Sequence, residues 1–264
     1  MITAHEMISL PSASTLSLLG VDVSHPRQWS KAAIVFADPV YESDDARFGS
    51  ERARATVEAA PSTRGERQST AAIRMPRLTR TGREARDIAA VASPTDVVLG
   101  FDASRAAAAN VNFANYRIVH FAAHGIMDDR HPELSGIVLS LFNRNGESQD
   151  GFLRLHDIHN LNIPADLVVL SACSTALGTE VVGEGLIGLV RGFMYAGAAS
   201  VVASLWPVDD EATSELMARF YRQMFVRHLT PPAALRAAQL EMVRDNRWAE
   251  PFYWASFTIQ GRWN

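Results

Sequence analysis

His124 and Cys173 each follow a short apolar run, and together they have the residue types of a base and a thiol nucleophile. The first run reads Ile118-Val119-His120-Phe121-Ala122-Ala123 before His124-Gly125. The second reads Leu167-Val168-Val169-Leu170-Ser171-Ala172 before Cys173, the one cysteine of the chain. A thiol attacks a carbonyl as thiolate, so it needs a base or a positive field beside it. His124 would take the thiol proton and later return it to the leaving amine. The tetrahedral intermediate needs donors aimed at its oxyanion. Gly125, with no side chain to obstruct the approach, and Cys173 would supply backbone N–H groups. Read singly, Cys173 is a small buried hydrophobe and His124 a satisfied core histidine. Read as a pair at matched strand ends, with a glycine after the histidine, they favour chemistry.

Near-continuous apolar runs mark parallel strands covered on both faces, although periodicity alone does not separate them from a buried helix. If the two strands are parallel neighbours, His124 and Cys173 emerge at the carboxyl edge, where open α/β sheets bind ligands. The flanking sequence alternates to match. Strands are expected at 32–37, 96–99, 134–141, 151–155, 200–205 and 252–259. Helices are expected at 82–92, from about Ser104, at 184–195 with Gly197 as C-cap, at 210–227 and at 232–244 with proline in its first turn. This order predicts an α/β fold with a mostly parallel sheet sandwiched by helices. One domain over 1–264 is expected, interrupted by residues 42–76. That stretch is rich in Arg, Glu, Ser and Ala and has few large apolar residues, so it reads either as disordered or as a regulatory or cleavable loop.

Composition narrows the function. The chain has 264 residues, 47% hydrophobic and 20% charged, as an ordinary globular protein does. No apolar run approaches the roughly 18 residues of a membrane span and no signal pattern opens the chain, so a cytoplasmic protein with no membrane partner is expected. A single cysteine excludes an intrachain disulfide framework and a multi-cysteine zinc site. A formal charge of −4, with arginines scattered among acids, gives no reason to expect direct nucleic acid binding.

Other motifs compete less well. Gly183-Glu184-Gly185-Leu186-Ile187-Gly188 is a literal GxGxxG, and Asp209 follows about 20 residues later as a dinucleotide fingerprint requires. The fingerprint's first glycine should follow its strand at once, whereas Cys173 to Val182 intervene here. Gly188 and Gly192 are expected to permit close helix packing instead. His156 and His159 have metal-pair spacing but only Asp157 nearby, so no metal site is expected. Ser171, Ser174 and Ser204 lack the nucleophile elbow. Asp209 and Asp210 open a helix, where capping is their ordinary role.

The stretches Val119 to Gly125, Leu134 to Ser140, Leu167 to Gly178, Gly183 to Trp206 with Val208-Asp209-Asp210, and Tyr253 to Phe257 together resemble the CHAT domain. This caspase-like peptidase family is associated with tetratricopeptide repeats and is related to separase. The resemblance runs from Leu10 to Trp263. It implies a caspase–haemoglobinase-like fold and a cysteine endopeptidase with a His124–Cys173 dyad, which needs no cofactor and acts on a protein or peptide. It also implies control by an upstream repeat region or a regulatory effector complex, CRISPR-associated in some members, in bacterial defence or cell death. The repeats are absent, so a fragment or a stand-alone member is expected. Glu250-Pro251-Phe252 replaces a common histidine-proline-tyrosine run. Ser204, Trp206, Asp209 and Asp210 are the candidate specificity pocket. By resemblance to separases Asp210 would receive a basic P1 residue; the other reading gives Asp210 a helix cap and Trp206 an apolar P1. The alternative to an enzyme is a catalytically silent peptide-binding or interaction module of the same fold.

Overall fold

The computed structural model describes residues 2, 5–9, 28–48, 75–128, 131–171, 173–176 and 184–262. Their centre is a seven-stranded sheet whose order follows from the apolar runs. The strands are β1 (Ile8–Ser9), β2 (Lys31–Ala37), β3 (Thr95–Leu99), β4 (Tyr116–Ala122), β8 (Leu167–Leu170), β10 (Ser200–Ser204) and β11 (Phe257–Gly261), arranged β1-β11-β10-β8-β4-β2-β3. The five from β3 to β10 are mutually parallel; β11 runs antiparallel to β10 and pairs in parallel with β1 at the edge.

Alternation along each strand divides the core into two layers. Phe36, Val119, Phe121, Val168, Leu170 and Val201 face helices α2 (Arg105–Asn110), α3 (Leu155–Asn160) and α4 (Glu184–Tyr195). Val35, Ile118, Ala122, Val169 and Val202 face α1 (Thr81–Val91), α5 (Asp210–Phe225) and α6 (Pro231–Arg244). Such double coverage is why the strands read as unbroken apolar runs. The helices begin where the sequence marks them. Ser104 accepts the Ala107 N–H at 3.1 Å, Asp209 accepts those of Glu211 and Ala212, and proline opens α6.

The expected strand ends need correction at the site. Neither His124 nor Cys173 terminates the chain's extended course. After β4 the backbone resumes as β5 (Gly125–Met127), and after β8 it resumes as β9 (Cys173–Ala176). These strands belong to a second sheet, β7-β6-β5-β9, with β6 (Gly136–Val138) and β7 (Phe152–Arg154) antiparallel beside β5. Near the C-terminus, residues 251–253 form a 3₁₀ turn and strand pairing starts only at Phe257, because Pro251 has no N–H to give a ladder. The expected strand from 252 is therefore wrong over residues 252–256.

Within the stretch 42–76 both ends are described. Residues 46–48 form a 3₁₀ turn and Met75 is buried with Tyr41, Ile126 and Val138; residues 49–74 lie outside the described residues.

One polar cluster spans the α1/α5 layer beneath the site. His120 is fully buried; its Nε2 donates to Glu84 Oε1 at 2.8 Å, which leaves Nδ1 to accept the Tyr221 hydroxyl at 2.9 Å. Ser171 Oγ lies 3.1 Å from the same Nε2. Burial, reinforced by the Glu84 charge, holds the Tyr221 phenol well above its ordinary pKa, so it stays a donor. The cluster ties β4 and the end of β8 to α1 and α5.

Two sets of substitutions test this packing by urea unfolding. Tyr221→Phe keeps the ring but leaves His120 Nδ1 without its donor, and should cost about 1–3 kcal/mol. Gly136→Ala would put a Cβ 2.3 Å from the Leu153 carbonyl oxygen, and should cost about 1–3 kcal/mol by overpacking. Gly188 is expected to sit in a close helix contact, yet a Cβ added there would meet nothing within 4 Å. Gly188→Ala should therefore stabilise α4 by up to about 1 kcal/mol, whereas a loss would restore the packing role. Gly192 does have the expected contact, with a Cβ meeting Leu155 Cδ1 at 2.4 Å.

Candidate functional site

The two sheets meet where β4 passes into β5 and β8 into β9. Phe121 pairs with Leu170 at the end of the large sheet, and Gly125 pairs with Cys173 at the start of the small one. Three residues lie between Phe121 and Gly125 but only two between Leu170 and Cys173. The spare residue on the first strand is a bulge-like excess, and such an excess re-aims side chains locally. The register shifts again between Gly125 and Ile126, whose partner is Thr175. His124 thus sits immediately before the residue that pairs with Cys173. The backbones of the two candidate residues are brought together.

His124 is fixed at three points. Its N–H donates to the Tyr41 hydroxyl at 3.1 Å, and its carbonyl accepts the Val138 N–H at 2.7 Å. Tyr41 passes its own proton to the Val138 carbonyl at 3.2 Å and sets its ring 4.8 Å from the imidazole. The third point is the side chain, whose Nε2 lies 2.8 Å from the Pro76 carbonyl oxygen. A carbonyl only accepts, so the proton resides on Nε2 and Nδ1 is the basic nitrogen. Only 4% of His124 is exposed. Burial pushes its pKa below the ordinary 6.5, and the Pro76 carbonyl offsets this in part. The result is an imidazole kept neutral near pH 7.

The remaining candidates divide. Ser204 ends β10, is buried, and emerges at the same carboxyl edge as β4 and β8. Since β10 is flanked by β8 and β11, an extended peptide could pair with this segment only beyond Ser204. Trp206 Nε1 donates to the Phe252 carbonyl at 3.3 Å, beside exposed Leu205. Asp209, not Asp210, is the N-cap of α5. Asp210 is half-buried, and its Oδ2 accepts the Arg80 N–H at 2.9 Å. Burial chiefly raises its pKa, against the Arg80 N–H; the Glu84 and Asp209 charges add to the rise.

Among the other motifs, Ser171 is spent on the His120 cluster. His156 contacts Asp157 at 3.3 Å, whereas His159 rests against Tyr195. Among the described residues no group of three His, Cys, Asp or Glu side chains could hold a metal ion. Gly183, first of the GxGxxG run, lies outside the described residues, and α4 starts at Glu184. Likewise no described helix is long and apolar enough to cross a membrane.

Sequence reasoning missed Tyr41, Pro76, Asp38 and Arg77. Asp38 directly follows β2, the neighbour of β4, and its carboxylate takes both Nε (2.8 Å) and Nη2 (2.7 Å) of Arg77. The only available signal was position: Asp38 follows a buried strand at the same edge. A backbone carbonyl such as that of Pro76 leaves no signal in a sequence.

The comparisons with known proteins agree with this architecture. The chain is 34% identical over 113 residues to human tetratricopeptide repeat protein 28, and 34% identical over 105 residues to the mouse protein. These matches take in 43% and 40% of this chain but only 4% of either relative. Among solved structures, the Arg-specific cysteine proteinase gingipain R superposes with a TM-score of 0.50 at 11% identity, over 89% of this chain and 46% of that one. At that identity the likeness shows the fold, a caspase-like α/β sandwich. The sequence pattern of the CHAT domain matches residues 1–262, and the chain belongs to that family.

Proposed function

We propose that this chain is a cysteine endopeptidase in which His124 and Cys173 form the catalytic dyad. The observation that carries the reading is the register that sets Gly125 opposite Cys173, one residue after an imidazole whose Nδ1 is its basic nitrogen. His124 Nδ1 takes the thiol proton and Cys173 Sγ attacks the scissile carbonyl carbon. The carbonyl π pair moves to oxygen, which the N–H groups of Gly125 and Cys173 receive. Collapse of that intermediate breaks the C–N bond. Imidazolium gives its proton to the departing amine, leaving a thioester. Water, deprotonated by the same imidazole, hydrolyses the thioester and restores the thiol. The Pro76 carbonyl keeps the ring in one tautomer throughout and favours the imidazolium that forms.

Substrate choice belongs to the edge beyond β10. A basic P1 side chain would meet Asp210, whose carboxylate could accept charge-assisted hydrogen bonds from a guanidinium. Leu205 and Trp206 offer the apolar wall beside it. A tetratricopeptide repeat region is the natural regulatory partner, because the curated relatives that share this sequence are repeat proteins. Control of a protein-cleaving module by such a region fits a role in defence or cell death, within the cytoplasm.

Sequencing of new N-termini in a lysate treated with wild type or with Cys173→Ala tests the activity. Cleavages present only with wild type are expected, and cleavage undiminished in Cys173→Ala would remove Cys173 as nucleophile. The pH profile tests the base. Protonation of His124 abolishes its function and burial lowers its pKa, so the acid limb should fall below 6.5; a limb centred above that value would contradict a buried base. Asp210→Ala should depress cleavage after Arg by about tenfold or more, as expected for lost charge-assisted bonds, with Cys173 labelling intact. Equal losses on basic and apolar P1 substrates would assign Asp210 to holding Arg80.

A further inference from the structure

Pro76 lies on a strap, the segment that leads through Arg80 into α1. Its carbonyl is the strap's polar contact with the imidazole. Main-chain carbonyls on a strap move with the strap, so whatever anchors it sets the geometry of His124. Besides Arg80, which Asp210 and Glu211 hold at the start of α1, three anchors lie nearer Pro76. Met75 is buried in the small apolar cluster with Tyr41. The Leu78 carbonyl accepts the Thr81 hydroxyl at 2.9 Å, and that hydroxyl oxygen accepts the Asp38 N–H at 3.0 Å. The third anchor is the fork between Arg77 and Asp38, whose two parallel bonds of 2.8 and 2.7 Å fix orientation as well as distance.

Asp38 is itself unusually constrained. Its φ is +52°, the left-handed region that Asp tolerates better than most residues. Arg47 holds it there, donating Nη1 to the Asp38 carbonyl at 2.6 Å and Nη2 to that of Pro39 at 3.1 Å. Arg47 is locked in turn by Asp45, at 2.8 and 2.7 Å. A chain of fixed geometry therefore leads from Asp45 through Arg47, Asp38 and Arg77 to the bond beside the Pro76 carbonyl.

Stability alone gives this chain little to do. The Arg77 side chain is 40% exposed, so solvent screens its pair with Asp38. Met75, by burial, holds the strap far more firmly. What the fork adds, and burial does not, is orientation of the peptide that precedes Arg77.

We infer that Asp38 and Arg77 are positioning residues for His124, acting through the Pro76 carbonyl to hold the imidazole in its Nε2–H tautomer. The inference rests on His124 serving as the base, and it extends that reading to residues outside the dyad. They touch neither thiol nor substrate, and their effect is on the fraction of molecules in which Nδ1 is correctly presented.

The test uses the full chain labelled with ¹⁵N-histidine, with ring shifts assigned by His124→Gln, alongside the rate of Cys173 alkylation by iodoacetamide. Wild type should show His124 as one Nε2–H tautomer. Arg77→Ala and Asp38→Asn should give averaged ring shifts and slow alkylation about tenfold to a hundredfold, the range of outer orienting partners. Their urea midpoints should barely move. Asn is at home at positive φ, so Asp38→Asn keeps the backbone and tests the fork even if Arg77→Ala fails to fold. Arg77→Lys keeps the charge without the fork and should fall between. Tautomer and rate within twofold of wild type in both variants would overturn the inference. Faster alkylation in Arg77→Ala would also overturn it, by making Arg77 an obstruction. An alkylation rate unchanged in His124→Ala would instead defeat the dyad, and the tautomer signal would still judge the clamp.

Discussion

Two parallel strands leave one sheet and enter another at the same level, and the site depends on that shared transition. β4 and β8 are covered on both faces by helices, so their ladders are fixed by apolar packing that tolerates no slip of register. Beyond Phe121 and Leu170 the layers diverge, and the backbones resume pairing at Gly125 and Cys173. The unequal number of residues in the two gaps prevents the ladder from simply continuing. His124 falls in the longer gap. Its N–H is satisfied by the Tyr41 hydroxyl and its carbonyl by the Val138 N–H at the end of β6. Held by β6 through its carbonyl, by Tyr41 through its N–H and by Pro76 through its ring, His124 has the defined orientation that the proposed acid–base role requires.

His120 and His124 show how environment divides one residue type into two roles. Both sit on β4 or just past it, four residues apart, and both are almost wholly buried. Both of His120's nitrogens are occupied, one by Glu84 and one by Tyr221. His124 gives Nε2 to a carbonyl, which leaves Nδ1 as its base. Burial has a further consequence at His124. It disfavours the imidazolium, so the neutral base is available near pH 7, and the Pro76 carbonyl restores some affinity for the proton. Those opposed effects suit the proposed base, which would accept a proton and give it back.

The large sheet was legible because double burial writes itself into sequence as Val, Ile, Leu and Ala runs. The helices were legible through Ser104, Asp209, Pro232 and Gly197, although α6 starts one residue earlier than expected, at Pro231. Of the second sheet, β6 and β7 were legible as the strands expected at 134–141 and 151–155, whereas β5 and β9 were not, since His124-Gly125 and Cys173 read as strand ends and not as the start of new pairing. The start of β11 was misjudged for the opposite reason: Phe252 to Trp254 looks strand-like, yet Pro251 and the turn to Trp254 exclude it from the ladder. Within the site, the sequence points to His124, Gly125 and Cys173 because they are local to strand ends. Pro76, Asp38 and Arg77 act through contacts between segments far apart in the chain. Composition of the arginine-rich stretch hid the fact that Arg47 and Arg77, at its two ends, converge on one carboxylate. The Asp209-Asp210 pair divided in a way sequence could not foresee, one carboxylate capping α5 and the other reaching the Arg80 N–H.

The central proposal is that His124 and Cys173, whose backbones the paired strand transitions bring together, act on one carbonyl. A crystal structure of the full chain with a peptidyl aldehyde tests this most directly. The expected result is a thiohemiacetal on Cys173 Sγ. Its oxygen should lie within hydrogen-bond distance of the Gly125 and Cys173 N–H groups, with His124 Nδ1 turned to the reacting centre and Nε2 still on Pro76. An unmodified Cys173, or an adduct with Nδ1 directed away from the sulfur, would contradict the account.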